Sequence, residues 1–175
     1  MKKNRLTPQI IYKFAGKNMA LKISRERLPN DRRINLEMIT HPGAVCVAPF
    51  LTPGKIVFLR QYRPVLKSYI YELPAGTLDI GEKPLACARR ELQEETGYSA
   101  KRLIRKGMIY PVPGYSDERI FIYKAEGLTF TGLGLEPDEV ITTHPMPVPH
   151  VKKLFANGKI VDGKTICALT FCGIL

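Results

Sequence analysis

The strongest constraint on how this chain folds is one well-marked helix, residues 84–96, with a conformational stop at each end. Pro84 has a fixed φ and no N–H to lose, which suits a first helical turn. Leu85, Ala88 and Leu92 recur at i, i+3 and i+7 and give an apolar stripe. Gly97 closes the run as a left-handed stop. That stripe has to lie against something, and most of the surrounding sequence reads as β-structure. Residues 8–40 alternate loosely around a turn signal at Leu28-Pro29-Asn30-Asp31, which predicts two or three short antiparallel strands. After a break at His41-Pro42-Gly43, the apolar run Ala44 to Leu51 and the β-rich run Lys55 to Tyr62 flank Thr52-Pro53-Gly54, as in a hairpin. Tyr69 to Leu73 predicts a short strand ended by Pro74, and Leu103 to Tyr110 and Ile120 to Ala125 predict two more. Pro149 to Ala156, ended by Gly158, and Lys164 to Phe171 predict further helices. A mixed sheet with a few helices, class α+β, follows from this order.

The helix also carries a charge pattern that folding does not require. Glu91 lies i, i+3 from Glu94 and i, i+4 from Glu95, so the three carboxylates crowd one region of its surface. Like charges at that spacing repel by a few tenths of a kcal/mol per pair, roughly. They also sit in the second half of the helix, where the macrodipole disfavours anions. A solvated acidic face is one reading. A divalent cation, which would turn the repulsion into attraction, is the other. Oxygen ligands alone suit a hard ion, Mg²⁺ or Mn²⁺. The upstream segment Glu72-Leu73-Pro74-Ala75-Gly76 favours the cation. Its small residues let backbone approach a ligand closely, and the Ala75 carbonyl would add another hard oxygen. Arg90 is the one cation beside the glutamates, with a fork suited to hold a carboxylate.

A formal net charge of +11 over 175 residues raises the question of nucleic acid. The excess is local. Residues 1–70 hold 14 Lys and Arg against 3 acids, and residues 71–175 hold 13 of each. Within the neutral part, Glu91, Glu94 and Glu95 form one acidic group and Glu136, Asp138 and Glu139 another. A basic segment followed by carboxylate clusters suggests metal and an anionic substrate. No long apolar stretch is present, so no membrane helix is expected. The basic start lacks an apolar segment behind it, so no signal peptide is expected. Cys46, Cys87, Cys167 and Cys172 form no C-x-x-C pair, which fits free thiols in a reducing cytoplasm. His41, His144 and His150 have no paired spacing and are expected to be structural or exposed.

Gly76, Glu82, Arg90-Glu91-Leu92, Glu94-Glu95 and Gly97-Tyr98 stand at spacings that resemble the complete Nudix box, with every defined position filled over 23 residues. The resemblance implies an α/β/α sandwich around a mixed sheet and Mg²⁺-dependent hydrolysis of a nucleoside diphosphate linked to another moiety. Pro113 lies 15 residues past Tyr98, within Pro111-Val112-Pro113-Gly114-Tyr115-Ser116-Asp117-Glu118, and in this the chain is similar to the ADP-ribose pyrophosphatase subfamily. His41-Pro42-Gly43-Ala44-Val45, Arg60-Gln61-Tyr62-Arg63, Glu72-Leu73-Pro74-Ala75-Gly76 and the ending around Gly158-Lys159-Ile160 and Ala168-Leu169 also look like that subfamily. The resemblance covers roughly residues 10–172.

By that resemblance, the Ala75 carbonyl, Glu91 and Glu95 would hold metal. Glu94 would act through water or support the others, and Gly76, Glu82, Arg90 and Gly97 would brace the loop–helix geometry. Arg63, Pro113 and Gly114 would meet substrate, with Arg60 on the opposite strand face. Glu139 best matches the subfamily's loop glutamate, which serves as base or extra ligand. The acid usual two residues earlier is replaced by Pro137, so Glu136 or Asp138 are alternatives. Tyr12 and Phe14 are among the candidates for stacking on adenine. The implied activity splits ADP-ribose into AMP and ribose 5-phosphate. Alternatives are a GDP-mannose-type nucleotide-sugar pyrophosphatase, or a nucleic-acid-binding or regulatory protein on the same fold. Residues 1–40 are expected to form a small β lobe, possibly exchanged in a homodimer, and residues 41–175 the hydrolase domain.

Overall fold

The computed structural model of the protein describes residues 9–16, 19–135 and 139–175. Glu136, Pro137 and Asp138 and the side chain of Tyr12 lie outside the described residues. Three strands, β1 (Gln9–Ala15), β2 (Ala20–Arg27) and β3 (Arg33–Thr40), form a separate antiparallel sheet in the order β1-β2-β3. The second sheet holds β4 (Ala44–Thr52), β5 (Lys55–Arg63), β6 (Ser68–Glu72), β7 (Ala75–Thr77), β8 (Tyr98–Ile109), β9 (Ile120–Phe130) and β10 (Ile141–Pro147). Its order is β10-β5-β4-β9-β8, with β6 beside β5 and β7 beside β4. The β4–β9 pairing is parallel and the others are antiparallel, so the sheet is mixed.

Strand β4 is buried without interruption from Ala44 to Phe50, because helices cover both faces of the sheet. Ala44, Cys46, Ala48 and Phe50 join the core that includes Val151 of α2 (Val148–Ala156) and Ala168 and Leu169 of α3 (Gly163–Phe171). Val45 and Val47 point the other way, into a core with Leu78, Tyr123, Ala125 and Cys87, Ala88 and Leu92 of α1 (Pro84–Thr96). The result is the expected α/β/α sandwich. The N-terminal sheet is tied to it through the loop between β8 and β9. The Ile39 N–H donates to the Tyr115 carbonyl (2.8 Å), the Asp117 N–H to the Ile39 carbonyl (3.3 Å) and the His41 N–H to Asp117 Oδ1 (2.8 Å).

Three local readings change. Strand β10 was not expected from sequence. It carries Pro145 and Pro147, which a central strand would reject, but it lies at the margin of the sheet beside β5. Strands β8 and β9 both run longer than their apolar cores, because they pair with each other from Ile109↔Ile120 out to Tyr98↔Phe130. Leu85 is 44 % exposed, and the buried face of α1 is Cys87, Ala88, Glu91, Leu92, Glu95 and Thr96. Leu92→Ala is therefore expected to lower stability by about 3 kcal/mol in urea melts, while Leu85→Ala changes it by less than about 1 kcal/mol. Equal losses would mean that α1 packs through a different face.

Candidate active site

Two glutamates lie on the buried face of α1. Glu91 is 8 % exposed and Glu95 2 %, on the same stripe as Ala88 and Leu92. Strand β7 makes this geometrically possible. It pairs Val45↔Gly76 and Cys46↔Ala75 with β4, and so runs directly beneath α1. A Cβ at residue 76 would sit 1.9 Å from Glu91 Oε1, so only glycine leaves room for that carboxylate. One residue earlier, the Ala75 N–H donates to Glu95 Oε2 at 2.8 Å.

Arg90 organises the rest of the helix face. Its Nη1 donates to Glu91 Oε1 (2.6 Å) and Glu94 Oε2 (3.0 Å). Its Nε and Nη2 donate to the two oxygens of Glu82 (3.2 and 3.0 Å), and Nη2 also reaches the Thr77 carbonyl (3.3 Å). Glu82 Oε2 in turn accepts from the Asp79 N–H (3.1 Å). Sequence reasoning gave Arg90 one carboxylate, whereas it holds three and knots the loop 77–82 to the helix. These bonds, to Glu82 above all, raise the pKa of the guanidinium further. Glu82 is held below the usual carboxylate range, chiefly by its bonds from Arg90.

The two buried carboxylates move the other way. Burial raises the pKa of Glu91, and Arg90 offsets that only in part. Burial pushes Glu95 up to about 8 against the Ala75 N–H, with the charges of Glu91 and Glu139 adding to the rise. Glu139 is brought here from far along the chain. At the C-terminus of α1, Gly97 takes a left-handed φ of 74°, and its carbonyl accepts from the N–H groups of Thr131 (2.7 Å) and Gly132 (3.2 Å). The Gly134 N–H donates to the Glu94 carbonyl (3.1 Å), and on the far side of the loop the Tyr62 N–H donates to Val140 (3.0 Å).

Facing the helix across the cavity is Arg63, at the end of β5. Its Nε and Nη2 grip Glu72 Oε1 and Oε2 at 2.6 and 2.7 Å. Lys164 of α3 contacts the same carboxylate at Oε2. Arg60 lies on the other face of the strand, its guanidinium 4.2 Å over the Tyr69 ring. The cavity between these walls measures about 290 Å³ and is lined by Gln61, Arg63, Ala75 to Asp79, Arg90, Glu91, Glu94, Glu95 and Glu139. The fold thus gathers Ala75, Gly76, Arg63, Arg90, Glu91, Glu94, Glu95 and Glu139 at one place. Glu82 sits one layer behind, on Arg90. Pro113 and Gly114 do not line the cavity; they are exposed, in the loop that the N-terminal sheet holds through Tyr115 and Asp117. Gln61 and the stretch Thr77 to Asp79 were not anticipated. Gln61 was findable, since strand alternation places it on the same face as Arg63.

The lining carries five carboxylates and two guanidinium groups. An anionic substrate entering such a site is repelled unless cations accompany it. All the acidic donors are hard oxygens and two are buried, which fits a divalent ion of the Mg²⁺ class. Among the described residues, no three His, Cys, Asp or Glu side chains converge as a closed metal cage.

Two outcomes are expected. Gly76→Ala drives a methyl into Glu91 and is expected to abolish divalent-ion binding in calorimetry while leaving a folded protein. Wild-type affinity would show that the carboxylate is not confined there. For metal-free protein, the sign of the Glu95 shift sets a pH trend. Its folded pKa lies above the ordinary carboxyl value of about 4.5, so the folded state holds the proton more tightly. This stability is complete below about pH 4.5 and is lost as pH rises toward about 8. Glu95→Gln removes that loss, so at pH 8 without metal it is expected to melt roughly 3 °C or more above wild type. A lower melting temperature at that pH would contradict the raised pKa.

Comparison with known proteins agrees with this geometry. A model of the NUDIX domain matches residues 40–168. The chain is 36 % identical over 160 residues to an ADP-ribose pyrophosphatase of Bacillus subtilis (strain 168), covering 90 % of this chain and 86 % of that one. It is 35 % identical over the same length to a methanol dehydrogenase activator of Bacillus methanolicus, again with 90 % and 86 % covered. Among solved structures, an ADP compounds hydrolase superposes with a TM-score of 0.80 at 22 % identity, over 98 % of this chain and 95 % of the other, which supports the fold. With three-quarters of its length matched by the domain and its carboxylate helix seated on a glycine strand, this chain belongs to the Nudix family.

Proposed function

We propose that this protein hydrolyses the pyrophosphate of ADP-ribose, or of a related nucleoside diphosphate sugar, giving AMP and ribose 5-phosphate in the first case. The observation that carries this reading is the opposition of two buried carboxylates, Glu91 and Glu95, to Arg63 across one small cavity. The name of the Bacillus subtilis relative, an ADP-ribose pyrophosphatase, is consistent with it. Ala75, through its carbonyl, with Glu91 and Glu95 would hold the metal, and Glu94 would support them. Mg²⁺ or Mn²⁺ held by these residues would supply positive charge against the pyrophosphate and lower the pKa of the attacking water. The chain's own residues do the rest. Arg90 and Gly76 fix the Glu91 carboxylate in place, and the Ala75 N–H fixes Glu95. Arg63 presents a guanidinium to a substrate phosphate. Glu139, on a loop anchored to both α1 and β5, would take the proton from the attacking water.

The same reading assigns residues 1–40 to a β lobe and 41–175 to the hydrolase domain, in a cytoplasmic homodimer. A basic N-terminal segment and a separate β1-β2-β3 sheet support the division. Among the described residues no helix is long and apolar enough to cross a membrane. Pro113 and Gly114 keep a substrate role only at the far end of the substrate, outside the cavity lining.

A panel of ADP-ribose, GDP-mannose and NADH with Mg²⁺ tests the reading. Turnover of ADP-ribose above the others is expected, and strong turnover of the GDP-sugar with none of ADP-ribose would replace it with the alternative substrate. Glu95→Gln is expected to cut the rate by at least roughly 100-fold. Near-normal turnover would place the metal elsewhere.

A further inference from the structure

We propose that Lys164 is a positioning residue for the phosphate-binding wall of the cavity, acting through the buried carboxylate of Glu72 on Arg63. The proposal rests on the reading above that Arg63 meets the anionic substrate. Glu72 ends β6 and has no exposed surface. It is the shared anion of two cations. Arg63 gives it two fork arms, Nε and Nη2, and Lys164 Nζ also contacts Oε2. Lys164 itself is nearly buried and also pairs with Asp162 Oδ1 at 3.1 Å. Burial alone would raise the pKa of Glu72, but the two cations outweigh it and hold the group ionised.

The arrangement decides what Arg63 offers the cavity. With Nε and Nη2 committed, the guanidinium plane is fixed and its Nη1 edge is left for a ligand. Its side chain is 37 % exposed, the one part of this ion cluster open to the cavity side. If Arg63 and Glu72 stood alone they would form a neutral pair, with little attraction for an anion. Lys164 shares the Glu72 carboxylate, so less of that negative charge is spent on Arg63, and Asp162, which pairs with the lysine at 3.1 Å, lies outside the cavity lining and balances the lysine there. This matters because the lining already holds more carboxylates than guanidinium groups. The lysine is set by the first turn of α3. Asp162 caps that helix by accepting from the Thr165 N–H (3.0 Å), and Thr165 Oγ1 accepts from the Leu73 N–H (2.9 Å). The last helix is thus stitched to the residue after Glu72, which holds the backbone of Lys164 beside that carboxylate.

The test is a double-mutant cycle on ADP binding with Mg²⁺, read by calorimetry, with steady-state kinetics on ADP-ribose beside it. Lys164→Met is expected to weaken ADP binding about 10-fold or more, the usual size of a charge-assisted contact, and to raise KM while kcat moves less than about 3-fold. Lys164→Arg is expected to restore most of the affinity. In an Arg63→Ala background, Lys164→Met is expected to add nothing further. An equal loss in both backgrounds, or no loss in a folded Lys164→Met protein, overturns the proposal. If that variant does not fold, Asp162→Asn serves instead. Asn still caps the helix, but it frees the lysine's charge and is expected to tighten ADP binding a few-fold only when Arg63 is present. Weakened binding there overturns the proposal. If the variants follow this binding pattern but wild-type protein hydrolyses no nucleoside diphosphate sugar, the hydrolase reading alone is overturned. Wild-type protein that does not bind ADP overturns the positioning role.

Discussion

The structure is organised around one unfavourable requirement: two carboxylates on the face of a helix that must also pack. Glu91 and Glu95 share the buried stripe of α1 with Ala88 and Leu92. Placing anions there opposes both the hydrophobic drive to bury apolar surface and the helix macrodipole. The surrounding residues answer it piece by piece. A glycine strand makes room for one carboxylate, a backbone N–H meets the other, and one arginine binds the helix face to the preceding loop. The raised pKa of Glu95 is what remains unanswered by the protein itself. Local rules broken at one place and kept elsewhere are the mark of a functional site.

Charge is distributed on two scales. The chain as a whole is strongly basic, and the excess lies in residues 1–70. The cavity, by contrast, is locally acidic. These are complementary rather than contradictory. A net positive molecule draws small anions from a distance, with a reach set by ionic strength. At contact range the carboxylates require a cation partner before an anion can settle. The surplus at the N-terminus therefore does not need a nucleic acid to explain it.

How much of this was readable in the sequence differs from residue to residue. Helical spacing alone brings Glu91, Glu94 and Glu95 together, and Pro84 and Gly97 mark the ends of α1 correctly. Burial was readable at Ala88 and Leu92 but not at Leu85, which is exposed, nor at Glu91 and Glu95, because a periodic apolar stripe gives no hint that carboxylates share the packed face. Contacts distant in sequence were invisible for a simple reason. Lys164 and Glu72 lie 92 positions apart and meet only because α3 packs against β4 and is hydrogen-bonded to Leu73, just past the end of β6. Glu139 was chosen by resemblance, and the backbone bonds at Gly134 and Val140 that flank it are ones no side-chain pattern reports. Pro113 and Gly114 show the opposite case, a motif that the fold sends to the N-terminal sheet rather than to the cavity.

The marginal position of β10 has a consequence for the protein's behaviour in concentrated solution. An open sheet normally ends in a row of unpaired N–H and C=O groups, which is a template for another chain's strand. Here one end lacks donors at Pro145 and Pro147. The other, β8, exposes Lys101, Arg102, Arg105 and Lys106 and breaks its register between Arg105 and Gly107. Backbone gaps at one end and repulsion with a kink at the other leave neither side fit for intermolecular β-addition. The large sheet is thereby protected from aggregation by its own two outermost strands.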